Sequence, residues 1–231
     1  MQALILAGGF GTRLRALLED TPKPMAPIQG KPFLAHLITY LQQQGVTEVV
    51  LSVHYLRKQI ENYFQDHYQD VAIRYVIEDA PLGTGGAIKN AIKVMQITQP
   101  FFVLNGDTFL KLNYRAMLEA HRARGAQITL ALHKTSDCGR YGAVTVQNNI
   151  IASFKEKTAQ GSGWINAGIY LIHPEILLGI TEQMFAFEKD FLVPNLRTLK
   201  PRAFCVNDYF IDIGTPEDYH RATLELLPQI E

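Results

Sequence analysis

Near the amino end, the residues best suited to chemistry are a run of glycines and a cation. The apolar stretch Ala3 to Leu6 leads straight into Gly8-Gly9-Phe10-Gly11-Thr12-Arg13-Leu14. Glycines carry no Cβ, so such a loop lets backbone N–H groups approach a phosphate closely. No Gly-Lys-Ser/Thr follows, so it is not a Walker A loop, and Leu14 stands where the dinucleotide fingerprint has its last glycine. Taken alone, the glycines fit a tight turn packed on a strand equally well. Arg13 tips the reading toward phosphate, because a guanidinium is a planar, permanently charged fork for phosphate oxygens. Next, Thr21-Pro22-Lys23-Pro24-Met25 encloses one lysine between two prolines. This predicts an extended, stiff backbone that aims a charge, the alternative being a surface loop with an exposed lysine.

Two aspartates complete the set. Asn105-Gly106-Asp107 follows the wholly apolar run Phe101 to Leu104, and open α/β sheets place their ligands at the carboxyl ends of such strands. A carboxylate there suits a metal. Asp212 likewise ends an apolar stretch just before a helix start. Either aspartate can also be read as a plain turn or helix-preceding polar residue. The histidines show no HExxH spacing, and Cys138 and Cys205 stand too far apart for a CxxC zinc pattern, so both are expected as reduced thiols.

The elements that must position these residues alternate in a way typical of βαβ units. Strands are predicted at Ala3 to Leu6, Glu48 to Val53, Ile73 to Ile77 and Phe101 to Leu104. The last of these should be central and buried on both faces. Between them run helical patterns: Phe33, Leu34, Leu37, Ile38 and Leu41, stopped by Gly45; then Ile60, Tyr63 and Phe64; then, after Pro81 and a glycine-rich turn, Ile88, Ala91, Ile92 and Met95. From Gln127 onward strands dominate, at Ile128 to Leu132, Gly142 to Val146, Ile150 to Phe154 and Trp164 to Ile172, which should add antiparallel elements. Trp164 reads as core, with stacking on a sugar as the alternative. Phe204 to Val206 and Tyr209 to Ile211 are weaker strand candidates. The final helix opens with Thr215 as N-cap, Pro216 at the first helical position and Asp218 closing a capping box. The expected fold is therefore α/β: a Rossmann-like, mixed but mostly parallel sheet flanked by helices. A length of 231 residues suits one domain over 1–231, read as two halves that meet at about residue 110.

Bulk properties narrow the function classes. With 22 basic and 22 acidic residues, general electrostatic attraction to nucleic acid or an anionic membrane is not expected, although cations can still converge in one cleft. No run approaches a membrane span and the start lacks a basic n-region, so a soluble cytoplasmic protein is expected.

The pairing of Leu6-Ala7-Gly8-Gly9-Phe10-Gly11-Thr12-Arg13-Leu14 with Pro22-Lys23-Pro24-Met25 resembles the sugar-phosphate nucleotidylyltransferase family. The resemblance continues in order through Leu82-Gly83-Thr84-Gly85-Gly86-Ala87, Asn105-Gly106-Asp107, Phe154-Lys155-Glu156-Lys157, Asn166-Ala167-Gly168-Ile169-Tyr170 and Asp212-Ile213-Gly214-Thr215-Pro216, nearly the whole chain. It implies transfer of a nucleoside monophosphate from an NTP to a sugar 1-phosphate. Arg13, Lys23 and Asp107 are then catalytic, and Asp107 and Asp212 share one Mg²⁺. The nucleotide would lie on Leu6, Ala7, Gly8, Gly9, Gly11, Thr12, Pro81, Leu82, Gly83 and Thr84. Sugar-phosphate contacts are implied for Gly106, Tyr141, Gly142, Glu156, Lys157 and Asn166. Thr158 departs from the family's usual proline, and strand alternation would set Lys155 and Lys157 on the face opposite Glu156. Glu78 and Asp79 could accept protons from guanine N1 and its exocyclic amine, or form a solvated acidic loop.

Among acceptors, Phe185-Ala186-Phe187-Glu188-Lys189-Asp190-Phe191 and Tyr209 to Tyr219 are similar to the heptose 1-phosphate guanylyltransferase branch, which implies GTP and a heptose 1-phosphate. A mannose 1-phosphate guanylyltransferase and a uridylyl- or thymidylyltransferase for another sugar, such as N-acetylmuramate 1-phosphate, remain the rivals. Retention of Arg13, Lys23, Asp107 and Asp212 together disfavours a non-catalytic nucleotide-binding module. Leu14 and the Pro22-Lys23-Pro24 segment disfavour a dinucleotide oxidoreductase.

Overall fold

The computed structural model describes residues 1–9, 18, 20–154 and 161–230. Its strands are β1 (Gln2–Leu6), β2 (Pro27–Ile28), β3 (Lys31–Pro32), β4 (Glu48–Val53), β5 (His67–Tyr68), β6 (Val71–Ile77), β7 (Phe101–Asn105), β8 (Thr108–Leu110), β9 (Ile128–Thr135), β10 (Val144–Gln147), β11 (Ile150–Phe154), β12 (Gly163–Ile172), β13 (Arg202–Val206) and β14 (Phe210–Asp212). The helices are α1 (Phe33–Gln43), α2 (Arg57–Phe64), α3 (Gly83–Met95), α4 (Tyr114–Ala123), the single turn α5 (Leu196–Leu199) and α6 (Pro216–Glu225).

One ten-stranded sheet runs in the order β10-β11-β13-β9-β12-β7-β1-β4-β6-β5. β1 pairs parallel with β4 and β7, and β4 with β6. Beyond β7 the direction reverses, with β12 antiparallel to both β7 and β9. The sheet is thus mixed, and parallel order is confined to the β6-β4-β1-β7 block and to β13 against β9. The wider expectation of a mostly parallel sheet fails because hairpin-type returns replace helical crossovers in the second half.

Strand alternation explains the two cores. Ala3 and Ile5 of β1, with Phe102 and Leu104 of β7, face a cluster built on α1, while Leu4, Phe101 and Val103 face one built on α3. Burying both faces removes the polar alternation, which is why β7 is apolar throughout. Helix α1 buries Phe33, Leu34, Leu37, Ile38 and Leu41 as its spacing predicts. In α2, Ile60 and Phe64 are buried but Tyr63 is exposed, lying against Phe64 and Tyr68 at the surface. Helix α3 takes the glycines into its own first turn instead of starting after them. Helix α4 has no counterpart in the sequence reading: Asn113 accepts from Ala116 N at 2.9 Å as its N-cap, and Tyr114, Met117 and His121 form its buried stripe. In α6 the Thr215 hydroxyl accepts from Asp218 N at 3.3 Å, so this helix begins as expected. Trp164 is partly buried against the second core. Cys138 is buried, Cys205 is exposed, and both are free thiols. Among the described residues no helix is long and apolar enough to cross a membrane.

Candidate active site

The site is assembled from strand ends. β1 and β7 lie side by side, and the Gly106 amide donates to the Leu6 carbonyl at 3.0 Å, locking the two carboxyl ends together. A Cβ on residue 106 would stand 2.8 Å from that carbonyl oxygen and 3.3 Å from Pro24 Cγ, so glycine is required for this approach. Asp107 follows immediately. β8 then turns back and pairs antiparallel with β14, setting Asp212 opposite Thr108. The Ile213 amide donates to the Asp107 carbonyl at 3.0 Å, so residues distant in sequence become neighbours.

Lys23 completes this cluster. Pro22 is extended, but Lys23–Met25 forms a 3₁₀ turn, not the continuous extended segment expected from two prolines. The turn is closed by Met25 N to the Pro22 carbonyl at 2.7 Å, and Pro24 is buried, so the stiffness is real while its shape differs. The result is an aimed ammonium: Lys23 Nζ lies 2.6 Å from Asp107 Oδ2 and 3.4 Å from Asp212 Oδ1. Thr108 Oγ1 also donates to Asp107 Oδ1 at 3.3 Å. Burial first, and then the neighbouring Asp107 charge, raise the Asp212 carboxyl above its ordinary pKa, with Lys23 opposing the shift. Among the described residues no group of three or more His, Cys, Asp or Glu side chains gathers as a metal cage. Asp107 and Asp212 are hard oxygen donors of the kind that divalent cations take.

Gly8, at the head of the phosphate-type loop, lies near a third carboxylate. A Cβ there would lie 3.4 Å from Glu78 Oε1. Glu78 is buried, and its Oε1 accepts from the wholly buried Ser52 Oγ at 2.7 Å, while the Leu82 amide approaches Oε2 at 3.4 Å. Of the two acidic candidates, Glu78 is buried beside Gly8 and Asp79 is exposed. Pro81 and Gly83 are exposed, and Leu82 and Thr84 half-buried. The glycine-rich turn is, however, already engaged: Gly85 N donates to the Phe185 carbonyl at 2.9 Å, and the Phe187 amide donates to Thr84 Oγ1 at 2.8 Å. A Cβ on residue 85 would fall 2.1 Å from the Phe185 ring. Packing against the 183–187 segment therefore accounts for glycine at 85.

On the other side of β7, Asn166 and Gly168 lie in β12, where its pairing with β9 is interrupted. Tyr141 packs its ring edgewise on Phe210 at 5.6 Å beneath the Arg140 guanidinium, which is ion-paired with Asp218. Burial raises the Tyr141 phenol pKa. Gly142 adopts φ +80° and its amide donates to the Cys138 carbonyl at 2.9 Å; the adjacent strand starts only at Val144, later than the sequence suggested. Gly11, Thr12, Arg13, Glu156 and Lys157, with Lys155 and Thr158, lie outside the described residues. Ser52, which holds Glu78, has no part in the sequence reading, and Glu188 enters there only within the Phe185 to Phe191 motif. A lone serine inside the apolar run Glu48 to Val53 was the available signal for the first.

A cation aimed by a proline-bracketed turn at two carboxylates, one following the parallel strand β7 and one ending β14, stands at the carboxyl edge of the parallel block, where open α/β sheets take their ligands. The chain belongs to the nucleotidyl transferase family, whose model matches residues 2–229. It is 46% identical to the D-glycero-alpha-D-manno-heptose 1-phosphate guanylyltransferase of Campylobacter jejuni, over 95% of this chain and 97% of that protein. It is 42% identical to the enzyme of the same name from Aneurinibacillus thermoaerophilus, over 98% of each. The crystal structure of HddC from Yersinia pseudotuberculosis complexed with GMP-PN superposes with a TM-score of 0.86 at 40% identity, covering 96% of this chain and 97% of that one.

Proposed function

We propose that this protein transfers GMP from GTP to D-glycero-α-D-manno-heptose 1-phosphate, giving a GDP-heptose and pyrophosphate in the cytoplasm. The observation that carries the chemistry is the convergence of Asp107 and Asp212 on Lys23. The choice of guanine and heptose is supported by the two heptose enzymes and the GMP-PN complex.

A sugar 1-phosphate has a second pKa of about 6 and is largely dianionic at neutral pH, so its attack needs no general base. One acceptor oxygen forms a bond to the α-phosphorus while the bond from that phosphorus to the bridging oxygen breaks, and the electron pair leaves with pyrophosphate. The protein's task is to hold two polyanions in line and to offset their charge. The nucleotide would lie along Leu6, Ala7, Gly8, Gly9, Gly11 and Thr12, with the Ala7 amide already given to the Ser52 carbonyl at 2.9 Å, and Arg13 and Lys23 would supply positive charge to the phosphates. Mg²⁺ held by Asp107 and Asp212 would add charge at the phosphate oxygens. Glu78, oriented by Ser52, accepts from guanine N1–H and the 2-amino group, beside Pro81, Leu82, Gly83 and Thr84. On the acceptor side Glu156, Tyr141, Asn166 and the Gly142 and Gly106 backbone take sugar hydroxyls, and Lys157 the phosphate.

The test is pyrophosphate release by the purified protein with GTP, ATP, UTP or dTTP against heptose, mannose and N-acetylmuramate 1-phosphates, with and without Mg²⁺. GTP with the heptose ester should give the highest kcat/KM, and chelation should abolish it. A higher kcat/KM for any other pair would overturn the substrate assignment.

A further inference from the structure

The motif Phe185-Ala186-Phe187-Glu188-Lys189-Asp190-Phe191 has no role in the reaction as derived above. Its segment forms a π-helical turn at Phe187–Leu192, presenting Glu188 toward β12. The Tyr170 hydroxyl, on a side chain that is 1% exposed, donates to Glu188 Oε1. Asn166 Nδ2 in turn donates to the Tyr170 hydroxyl oxygen at 2.7 Å, and Asn166 Oδ1 accepts from the Gly168 amide at 3.1 Å. Both ends of the Asn166 carboxamide are therefore assigned, with the remaining Nδ2 hydrogen left for a ligand. Burial and the Glu188 carboxylate hold the Tyr170 phenol well above its ordinary pKa, so it stays protonated and remains the donor.

We propose that Glu188 is a positioning residue of the acceptor site, acting through Tyr170 to fix the Asn166 carboxamide so that its free N–H meets a sugar hydroxyl. This rests on the assignment of Asn166 to the sugar site. The direction of the chain follows from the carboxylate at its far end: an ionised Glu188 can only accept, so Tyr170 must donate outward and Asn166 must present its NH₂ to Tyr170. Without that anchor the tyrosine hydroxyl can rotate and turn its own proton toward Asn166, leaving the Gly168 amide alone to orient the carboxamide and loosening the aim of its free N–H. The segment is not itself adrift, because the Phe187 amide is held by Thr84 Oγ1 at 2.8 Å and the Tyr170 and Phe187 rings meet edgewise at 5.2 Å.

The experiment compares Glu188→Ala, Glu188→Gln, Tyr170→Phe and Asn166→Ala by steady-state kinetics in both substrates, together with thermal melting. Glu188→Ala and Tyr170→Phe should raise KM for the sugar 1-phosphate about tenfold, the scale of one charge-assisted hydrogen bond, while KM for GTP moves less than about twofold. Glu188→Gln keeps a carbonyl acceptor and should recover most of that loss. A shift of both KM values together with a lowered Tm, or no shift in either, overturns the proposal in favour of a structural contact. If Asn166→Ala raises the sugar KM but Glu188→Ala and Tyr170→Phe do not, the positioning role fails while the sugar-site assignment stands. If Asn166→Ala leaves the sugar KM unchanged, the assignment itself falls and the proposal with it.

Discussion

In the parallel block of the sheet, function is approached through main chain: the Gly106 amide reaches the Leu6 carbonyl, Gly8 lies against Glu78, and a 3₁₀ turn aims Lys23. In the antiparallel half, contacts run through side chains: Asn166 to Tyr170 to Glu188, and Arg140 to Asp218 around Tyr141. The difference follows from what each half is proposed to bind. Polyphosphate presents repeated oxygens that amides can cradle in almost any orientation, whereas a sugar presents hydroxyls whose donor and acceptor sense must be matched one by one. Backbone sites of the first kind tolerate little added volume; side-chain sites of the second kind depend on the groups behind them.

The largest expected effect lies at the first end. Asp107→Ala, or Arg13→Ala, should lower kcat by roughly 10² to 10⁵, the range for losing a charge partner of the transition state; near-normal turnover in either purified variant would break the assignment. On the acceptor side Lys157→Ala should act on KM for the sugar 1-phosphate, by roughly 10- to 100-fold if one charged phosphate contact is lost, with kcat nearly intact. A matched fall in kcat would erase the contrast between the two ends. Ser52→Ala sharpens the first end further: freeing Glu78 Oε1 should raise KM for GTP about tenfold and narrow the preference for GTP over ITP, which lacks the 2-amino group.

The effect furthest from the site concerns stability in the second half. His121 packs under β9, bonded to Thr129 Oγ1 at 2.9 Å, and burial first, then His173 and Arg122, lower its pKa to about 4. The native state holds this imidazole neutral while the unfolded chain protonates it near its ordinary value. Its contribution is therefore complete above about pH 6.5 and is lost as pH falls toward the folded value, to at most about 3 kcal/mol. Urea melts at pH 7 and 4.5 should show a smaller acid loss in His121→Gln than in the parent, and equal losses would refute the account.

Much of the local structure was legible in the sequence. Glu48 to Val53 and Ile150 to Phe154 coincide with β4 and β11, and the Thr215 cap stands where it was placed, because these depend on local periodicity and capping. Helix α4 was hidden by its polar intervening residues, with only Tyr114, Met117 and His121 buried. The return of β13 alongside β9 is long-range and leaves no local trace. Asp107 and Asp212 could be singled out by their places after apolar runs, but their shared contact with Lys23 depends on the β8–β14 pairing. Glu188 reaches Tyr170 only through a π-helical turn that no spacing rule announces.

The place of β13 and β14 also has a consequence for the order of events during synthesis. β1, β4, β6 and β7 can associate as soon as residue 105 has left the ribosome, since each pairs within that block. β11 and β9 flank β13 in the finished sheet and must stay apart until Arg202–Val206 is available to enter between them. Asp212 emerges later still. The carboxylate pair is thus a late product of translation: β1, β4, β6 and β7 are all made well before the second aspartate, and the β9 edge that receives β13 stays open to mispairing until Arg202–Val206 arrives.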